Sequence, residues 1–241
     1  MQKIKLLTVL ILLCSFRMDA QKLVEFPSGD GLLISANLYQ ISDTLPYIIL
    51  CHQAGFSRGE YNETAMKFTK FMYNAFAIDM RSGSECNGVK NETALRAKEK
   101  NKPTSYLDSE QDIVAAIDYA YAKTKKKVVL VGSSYSASLC LKIAARNNKV
   151  RAVIGFSPGE YFGKNLNVQA AIATIAVPVF VASSKEEAPA LAKLMADVKA
   201  PSLQVFCPAS KGDHGSKALW KANKNSHEYW LAVLMFMRKV K

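Results

Sequence analysis

The sequence predicts an α/β protein: a mostly parallel sheet of about eight strands sandwiched by helices. Three observations predict it. Short apolar runs recur at "LVEFPS", "LLISANLY", "PYIILCH", "NAFAIDM", "KVVLVG", "VRAVIGFS", "VPVFVAS" and "SLQVFCPA", each of strand length or alternating with period two. Segments of helical periodicity separate the later runs, and that alternation marks parallel strands joined by crossover helices. The opening runs instead suggest a hairpin.

Taken in order, residues 1–20, "MQKIKLLTVLILLCSFRMDA", carry Lys3 and Lys5, an apolar stretch from Leu6 to Cys14 and a small residue at Ala20. They read as a secretory signal peptide, because the apolar part is too short to span a bilayer and no second such run follows. Cleavage is expected after Ala20. Acylation of Cys14 after loss of residues 1–13 is the alternative, disfavoured by bulky Leu13. Either route takes the protein out of the cytoplasm, to a periplasm or beyond: cleavage after Ala20 gives a form with no stable membrane insertion, and acylation of Cys14 a lipid-anchored one. No repeat or linker divides residues 21–241, so one domain is expected there.

The longest polar insertion, Glu85 to Tyr106, is rich in lysine and asparagine and is expected as an exposed loop. After it, "LDSEQDIVAAIDYAYAK" predicts a helix: Asp108 can cap, Gln111 can complete a capping box, and Ile113, Ala116, Ile117 and Ala120 share a face. "EEAPALAKLM" starts another, with Pro189 suited to a first turn. "HEYWLAVLMFMRKV" is apolar nearly all round and is expected to close the fold against the sheet.

At 241 residues and 49% hydrophobic content the chain can bury a full core. Its formal charge is +12, to which the leader contributes Lys3, Lys5 and Arg17 against Asp19. The lysines are spread through "KEKNK", "KTKKK", "KGDHGSK" and "KANKN". That spread argues for a solvated surface and against nucleic-acid binding, which favours one basic stripe interleaved with aromatics. Cys51, Cys86, Cys140 and Cys207 lack metal-like spacing, and buried thiols are expected.

The chemistry centres on "VGSSYSAS". Gly132-Ser133-Ser134-Tyr135-Ser136 has the form G-x-S-x-small between a strand and a helix, a context that holds the middle serine on a strained turn with its hydroxyl above the strand ends. Ser134 is therefore the candidate nucleophile, and Ser133 its spacer. A serine needs a base to take its proton and an acid to orient that base. Of His52, His214 and His227, only His214 follows the last strand in a Gly-flanked loop, "KGDHGS". Between nucleophile and base, "VFVASSKEEAPA" supplies Glu187, favoured as the acid, and Glu186, the alternative; Glu160 in "SPGEYF" is a third. Asp213 is too close to His214 in the chain to fold back onto its imidazole. The order serine, acid, histidine is that of an α/β-hydrolase.

Together "CHQAGFSRGEY", "AIDMRSGSE", "YLDSEQDIVAAIDYA", "VGSSYSAS", "PVFVASSKEE" and "GDHG" resemble the successive landmarks of the α/β-hydrolase superfamily, nearest to its small dienelactone hydrolase-like branch. The resemblance runs from about Leu23 to the C-terminus. It implies Ser134 as nucleophile, His214 as general base and acid, Glu187 as orienter, and the amides of Ala54 and Tyr135 as oxyanion donors. It also implies that His52 is a structural loop residue and that Asp79 and Arg81 brace the loop after the fourth strand. Three positions depart from the pattern: Gln53 and Ser136 stand where glycine is common, and glutamate replaces aspartate. The branch's named enzyme uses a cysteine nucleophile, so its lactone substrate does not transfer.

The short stretch from Ser134 to Pro178 leaves no room for a large cap domain, so an open, shallow site is expected. The sequence thus reads as an exported serine hydrolase acting on small or surface-exposed carboxylic esters, without metal or organic cofactor. Peptide or amide hydrolysis by the same triad is the second reading, and a non-catalytic binding protein on the same fold the third.

Overall fold

Valine, isoleucine and phenylalanine fill the runs that form the sheet, and stiff or bulky side chains of this kind fit a pleated surface covered on both faces. In the computed structural model, which describes residues 21–240, all eight runs are strands of one sheet. The expected leader, its cleavage point and Cys14 lie outside the described residues.

The strands are β1 (Lys22–Pro27), β2 (Leu33–Tyr39), β3 (Tyr47–Cys51), β4 (Asn74–Ile78), a separate two-residue pair β5 (Glu85–Cys86) and β6 (Val89–Lys90), then β7 (Val128–Ser133), β8 (Val150–Phe156), β9 (Val179–Ala182) and β10 (Leu203–Phe206). The helices are α1 (Ala65–Thr69), α2 (Glu92–Glu99), α3 (Glu110–Thr124), α4 (Tyr135–Ala144), α5 (Val168–Ile172), α6 (Ala188–Leu194) and α7 (Ser226–Met237). The sheet runs β1-β2-β4-β3-β7-β8-β9-β10. β1 and β2 form the antiparallel hairpin and β2 is antiparallel to β4; all pairings from β4 to β10 are parallel.

The alternation of side chains along each strand divides the core into two layers. Ile49 and Cys51 join Ile113, Ala116, Leu139, Val168 and Leu191 on one face, while Ile48 and Leu50 join Phe68, Tyr229, Val233 and Phe236 on the other. Strand order turns back on itself at the β3–β7 boundary, where Cys51 pairs with Gly132. A crevice opens outside the carboxyl ends of strands at such a switch point, so the turns after β3 and β7 are brought side by side there. Between β7 and β9 lie α4, β8, a 3₁₀ turn (Gly163–Asn165) and α5, and no cap domain is inserted among the described residues.

Three local expectations are corrected. The insertion from Glu85 to Tyr106 is structured: β5 and β6 pair, and Asn91 caps α2 by accepting from the Ala94 amide (2.8 Å). Thr93 of that helix is buried and accepts from the Ser35 amide (3.0 Å), a long-range tie that the polar composition concealed. Asp108 does not cap α3, because a 3₁₀ turn (Leu107–Ser109) precedes the helix and the Asp108 carboxylate turns back to accept from the Ser105 amide (2.8 Å). The box with Gln111 is therefore not made. α7 packs on the sheet through Tyr229, Val233 and Phe236 but leaves Leu231 and Met235 exposed. Cys51, Cys86 and Cys140 are buried thiols, whereas Cys207, just past the end of edge strand β10, is exposed.

Candidate active site

Gly132 is the last residue but one of β7, where the first turn of α4 crosses the strand so closely that a Cβ would collide with Ala137 backbone atoms. Chain reversal in that space places Ser134 at φ 60°, ψ −125°, a left-handed conformation rare for a residue with a side chain. The turn is held by the Ser134 amide, which donates to the Phe156 carbonyl of β8 (2.8 Å). Ser136, where glycine is common, does not distort it. Its hydroxyl accepts from the Ser133 amide (2.9 Å) and donates to the Cys51 carbonyl (2.8 Å), tying the elbow to the end of β3.

His214 and Glu187 are brought together from loops at the ends of β10 and β9: the imidazole Nδ1 is hydrogen-bonded to Glu187 Oε1. Glu187 Oε2 accepts from the Ser157 hydroxyl (2.7 Å) and the Ser184 amide (3.0 Å). Burial alone would push this carboxyl up, but His214, Ser157 and Ser184 together hold it down at about 2. It is thus ionised throughout the physiological range and keeps the proton of the shared hydrogen bond on Nδ1, leaving Nε2 as an acceptor. The His214 side chain is 39% exposed, and no hydrogen bond joins it to Ser134 among the described residues.

The other carboxylates lie elsewhere. Glu186 is exposed and makes no hydrogen bond among the described residues. Glu160 accepts from the Val168 and Gln169 amides (2.8 and 2.9 Å) at the start of α5.

Two residues escape the sequence pattern. Ser157, at φ 52° beyond β8, donates to Glu187 and accepts from the Gly215 amide (3.0 Å), so one hydroxyl spaces the acid loop from the histidine loop. Tyr161 places its phenol beside the Ser134 side chain while donating to the Ser157 carbonyl (2.8 Å). Both fall in "GFSPGEYF", where a strand end was legible but the direction of the following loop was not.

Ala54 sits in the turn after β3, closed by the Phe56 amide donating to the Gln53 carbonyl (3.3 Å). Among the described residues the Ala54 and Tyr135 amides donate to no turn, loop or side-chain acceptor. The Tyr135 ring is buried and stacks on Tyr106 with centroids 4.4 Å apart. His52 is wholly buried: Nε2 accepts from the Met80 amide (2.9 Å), so Nδ1 carries the proton and donates to the Gln53 carbonyl (2.8 Å). Burial lowers it to about 4, which keeps it neutral and unsuited to the base's role. Asp79 pairs with Arg58 and accepts from the Glu92 amide (2.9 Å), while Arg81 is clamped by Asp112, Asp30 and Ser28. These pairs fix the loop after β4.

The model of the dienelactone hydrolase family matches residues 34–200. The chain belongs to the dienelactone hydrolase family. The matched segment contains Ser134 and Glu187, and His214 lies beyond its end. Among solved structures, an esterase from Pyrococcus furiosus aligns at TM-score 0.69 and 16% identity over 92% of this chain and 91% of its own. A dienelactone hydrolase from Anabaena variabilis aligns at 0.65 and 16% over 92% and 99%. An acylaminoacyl peptidase from Pyrococcus horikoshii aligns at 0.65 and 18% over 92% of this chain but 42% of its own. At these identities the likeness is one of fold. No curated protein matches the chain. Membership makes it a hydrolase of this family with esterase-like structural neighbours. No helix among the described residues is long and apolar enough to cross a membrane.

Proposed function

We propose that the chain is an exported serine hydrolase that cleaves small or surface-exposed carboxylic esters through an acyl-enzyme. The observation that carries this reading is Ser134 on a left-handed elbow between β7 and α4, with the His214–Glu187 pair on the loops beyond the same end of the sheet. His214 Nε2 takes the Ser134 proton as Oγ bonds to the ester carbonyl carbon; the tetrahedral oxyanion is received by the amides of Ala54 and Tyr135, which donate to no turn, loop or side-chain acceptor among the described residues. Collapse breaks the bond to the alkoxide, which leaves with the proton from His214. Water, deprotonated by the same imidazole, attacks the acyl carbon and releases the acid, and Ser134 regains its proton. Glu187 stays ionised and stabilises the imidazolium formed in each half.

A fluorophosphonate tests this directly. The folded protein is expected to label once, and Ser134→Ala to abolish labelling. His214→Ala should remove turnover by about 10⁶-fold, the order seen when a triad base is lost. A folded parent that does not label, or labelling that survives Ser134→Ala, refutes the reading and leaves a binding protein on the same fold. The fold shared with a peptidase makes amide hydrolysis the second reading, and parallel rates on acyl esters and matched peptide amides separate the two. Export rests on the leader-like residues 1–20, and a mature N-terminus at Gln21 is the expected result of sequencing the secreted protein.

A further inference from the structure

Beneath the elbow lies a carboxylate with no role in the reaction as written. Glu60, in the 3₁₀ turn Arg58–Tyr61, is wholly buried. Its Oε2 accepts from the Gln53 amide (2.7 Å), and its Oε1 accepts from the Ser133 hydroxyl (2.7 Å) and the Ser216 hydroxyl (2.5 Å). The Ser133 hydroxyl in turn accepts from the Ser216 amide (2.8 Å). The backbone carbonyl of Glu60 accepts from the Trp220 indole (2.9 Å), a second tie to the segment after His214. Gly215, at φ 66°, packs its bare Cα side against Ser133 Oγ and the Gln53 side chain, so the network leaves no room for a Cβ.

The three donors stand next to three working parts. Gln53 precedes Ala54, Ser133 precedes Ser134, and Ser216 lies two residues beyond His214. They reach Glu60 from separations of 7, 73 and 156 residues in the chain. We propose that Glu60 is a positioning residue which, by accepting from Gln53, Ser133 and Ser216 at once, holds the oxyanion turn, the nucleophile elbow and the histidine loop in register. The assignment rests on the reading of Ser134 and His214 given above.

The chemistry of the donors explains the choice of residue. The Gln53 amide is a fixed donor, and the Ser133 oxygen is already an acceptor for Ser216, which directs its proton outward to Glu60. Satisfying all three needs acceptors on both sides of one planar group, which a carboxylate supplies and an amide does not. Burying that charge is costly, and Glu60 makes no ion pair within 4.0 Å among the described residues. An apolar residue of similar size would avoid the buried charge but would strand the three buried donors and leave the three loops unconnected.

The test compares the parent with Glu60→Gln, Glu60→Ala and Ser216→Ala by two readouts. In amide hydrogen exchange, Glu60→Ala is expected to speed exchange about tenfold or more in both the 51–57 turn and the 211–220 loop, with β8 and β9 at parent rates. On a p-nitrophenyl ester below the melting transition, kcat should fall about a hundredfold with KM within about threefold, because loop displacements of this kind act on the reacting geometry. Ser216→Ala should lose about tenfold. Combined with Glu60→Ala it should add nothing further, since both remove the same connection. Exchange confined to residues 57–62, or a folded Glu60→Ala with kcat within about threefold of the parent, overturns the proposal. If Glu60→Ala does not fold, Glu60→Gln and Ser216→Ala decide it, and parent-like kcat in both overturns it. A parent that neither labels nor turns over defeats the hydrolase reading alone, because the exchange arm still reports whether Glu60 joins the loops.

Discussion

Replacing Glu187 by glutamine changes one atom of the acid and leaves its shape. The outcome follows from which side of the new amide must carry oxygen. The Ser184 amide is a fixed donor 3.0 Å from Oε2, and the Ser157 hydroxyl, 2.7 Å away, already accepts from Gly215 and must donate there as well. The amide oxygen is therefore drawn to that side and the NH₂ group turns toward His214. Facing a donor, Nδ1 gives up its proton, Nε2 acquires one, and the imidazole can no longer accept from Ser134. Two estimates bound the loss. Lowering the carboxyl from 4.5 to about 2 corresponds to roughly 3 kcal/mol of preference for the charged pair, an upper value because the side chain is partly exposed. A wrongly set tautomer in a triad costs about 10⁴ in kcat, or roughly 5.5 kcal/mol. Glu187→Gln is thus expected to lower kcat by about 10²–10⁴ with little change in KM, less severely than His214→Ala. Glu186→Gln, altering an exposed carboxylate outside the pair, should stay within about twofold. Steady-state kinetics on one ester for both variants checks this, and the assignment is refuted if the Glu186 variant is the more damaged.

Other predictions concern the scaffold. His52, lowered from 6.5 to about 4, binds fewer protons folded than unfolded, so its contribution is complete above pH 6.5 and is lost as pH falls toward 4, by up to roughly 3 kcal/mol. Burial holds Asp79 up at about 6 despite Arg58 and acts in the opposite sense, so the readout is the difference in urea midpoints between the parent and His52→Gln at pH 7 and 4. A constant difference would contradict the neutral, buried role. Ser136→Gly removes the hydroxyl's bonds to Ser133 and Cys51 and loosens the first turn of α4, at a cost of about 2–3 kcal/mol. Calorimetry should show Tm lower by about 5–10 °C, and an unchanged Tm would mean that the hydroxyl only fills space.

The fold was legible because its signals are local and repeated. Each of the eight apolar runs became a strand, and "VGSSYSAS" announced its turn through Gly132 and the abrupt change from strand to helix period. Where local signals competed, the reading failed. Asp108 had two partners within reach and bonded Ser105 instead of capping α3. The lysine-rich insertion hid a capped helix whose support, Ser35, lies far away in the chain. Ser157 and Tyr161 gave no pattern at all, since their place beside Glu187 and Ser134 depends on how the loop after β8 is folded back.

By itself the sequence determined the α/β class, the run of strands and helices, and the order in which nucleophile, acid and base candidates occur, because hydrophobic period and glycine-dependent turns are written within a few residues. Only the tertiary structure decided that Glu187 rather than Glu186 or Glu160 meets His214, that Ser136 braces the elbow, and that Glu60 joins the turns carrying Ala54, Ser134 and His214. Those contacts link loops that are separate in the chain, by as many as 156 residues between Glu60 and Ser216. The ties to Ser136 and Glu60 form because the reversal of strand order at β3 and β7 brings loops of distant origin to one end of the sheet, and Glu187 meets His214 because β9 and β10 are parallel neighbours whose following loops lie at that same end.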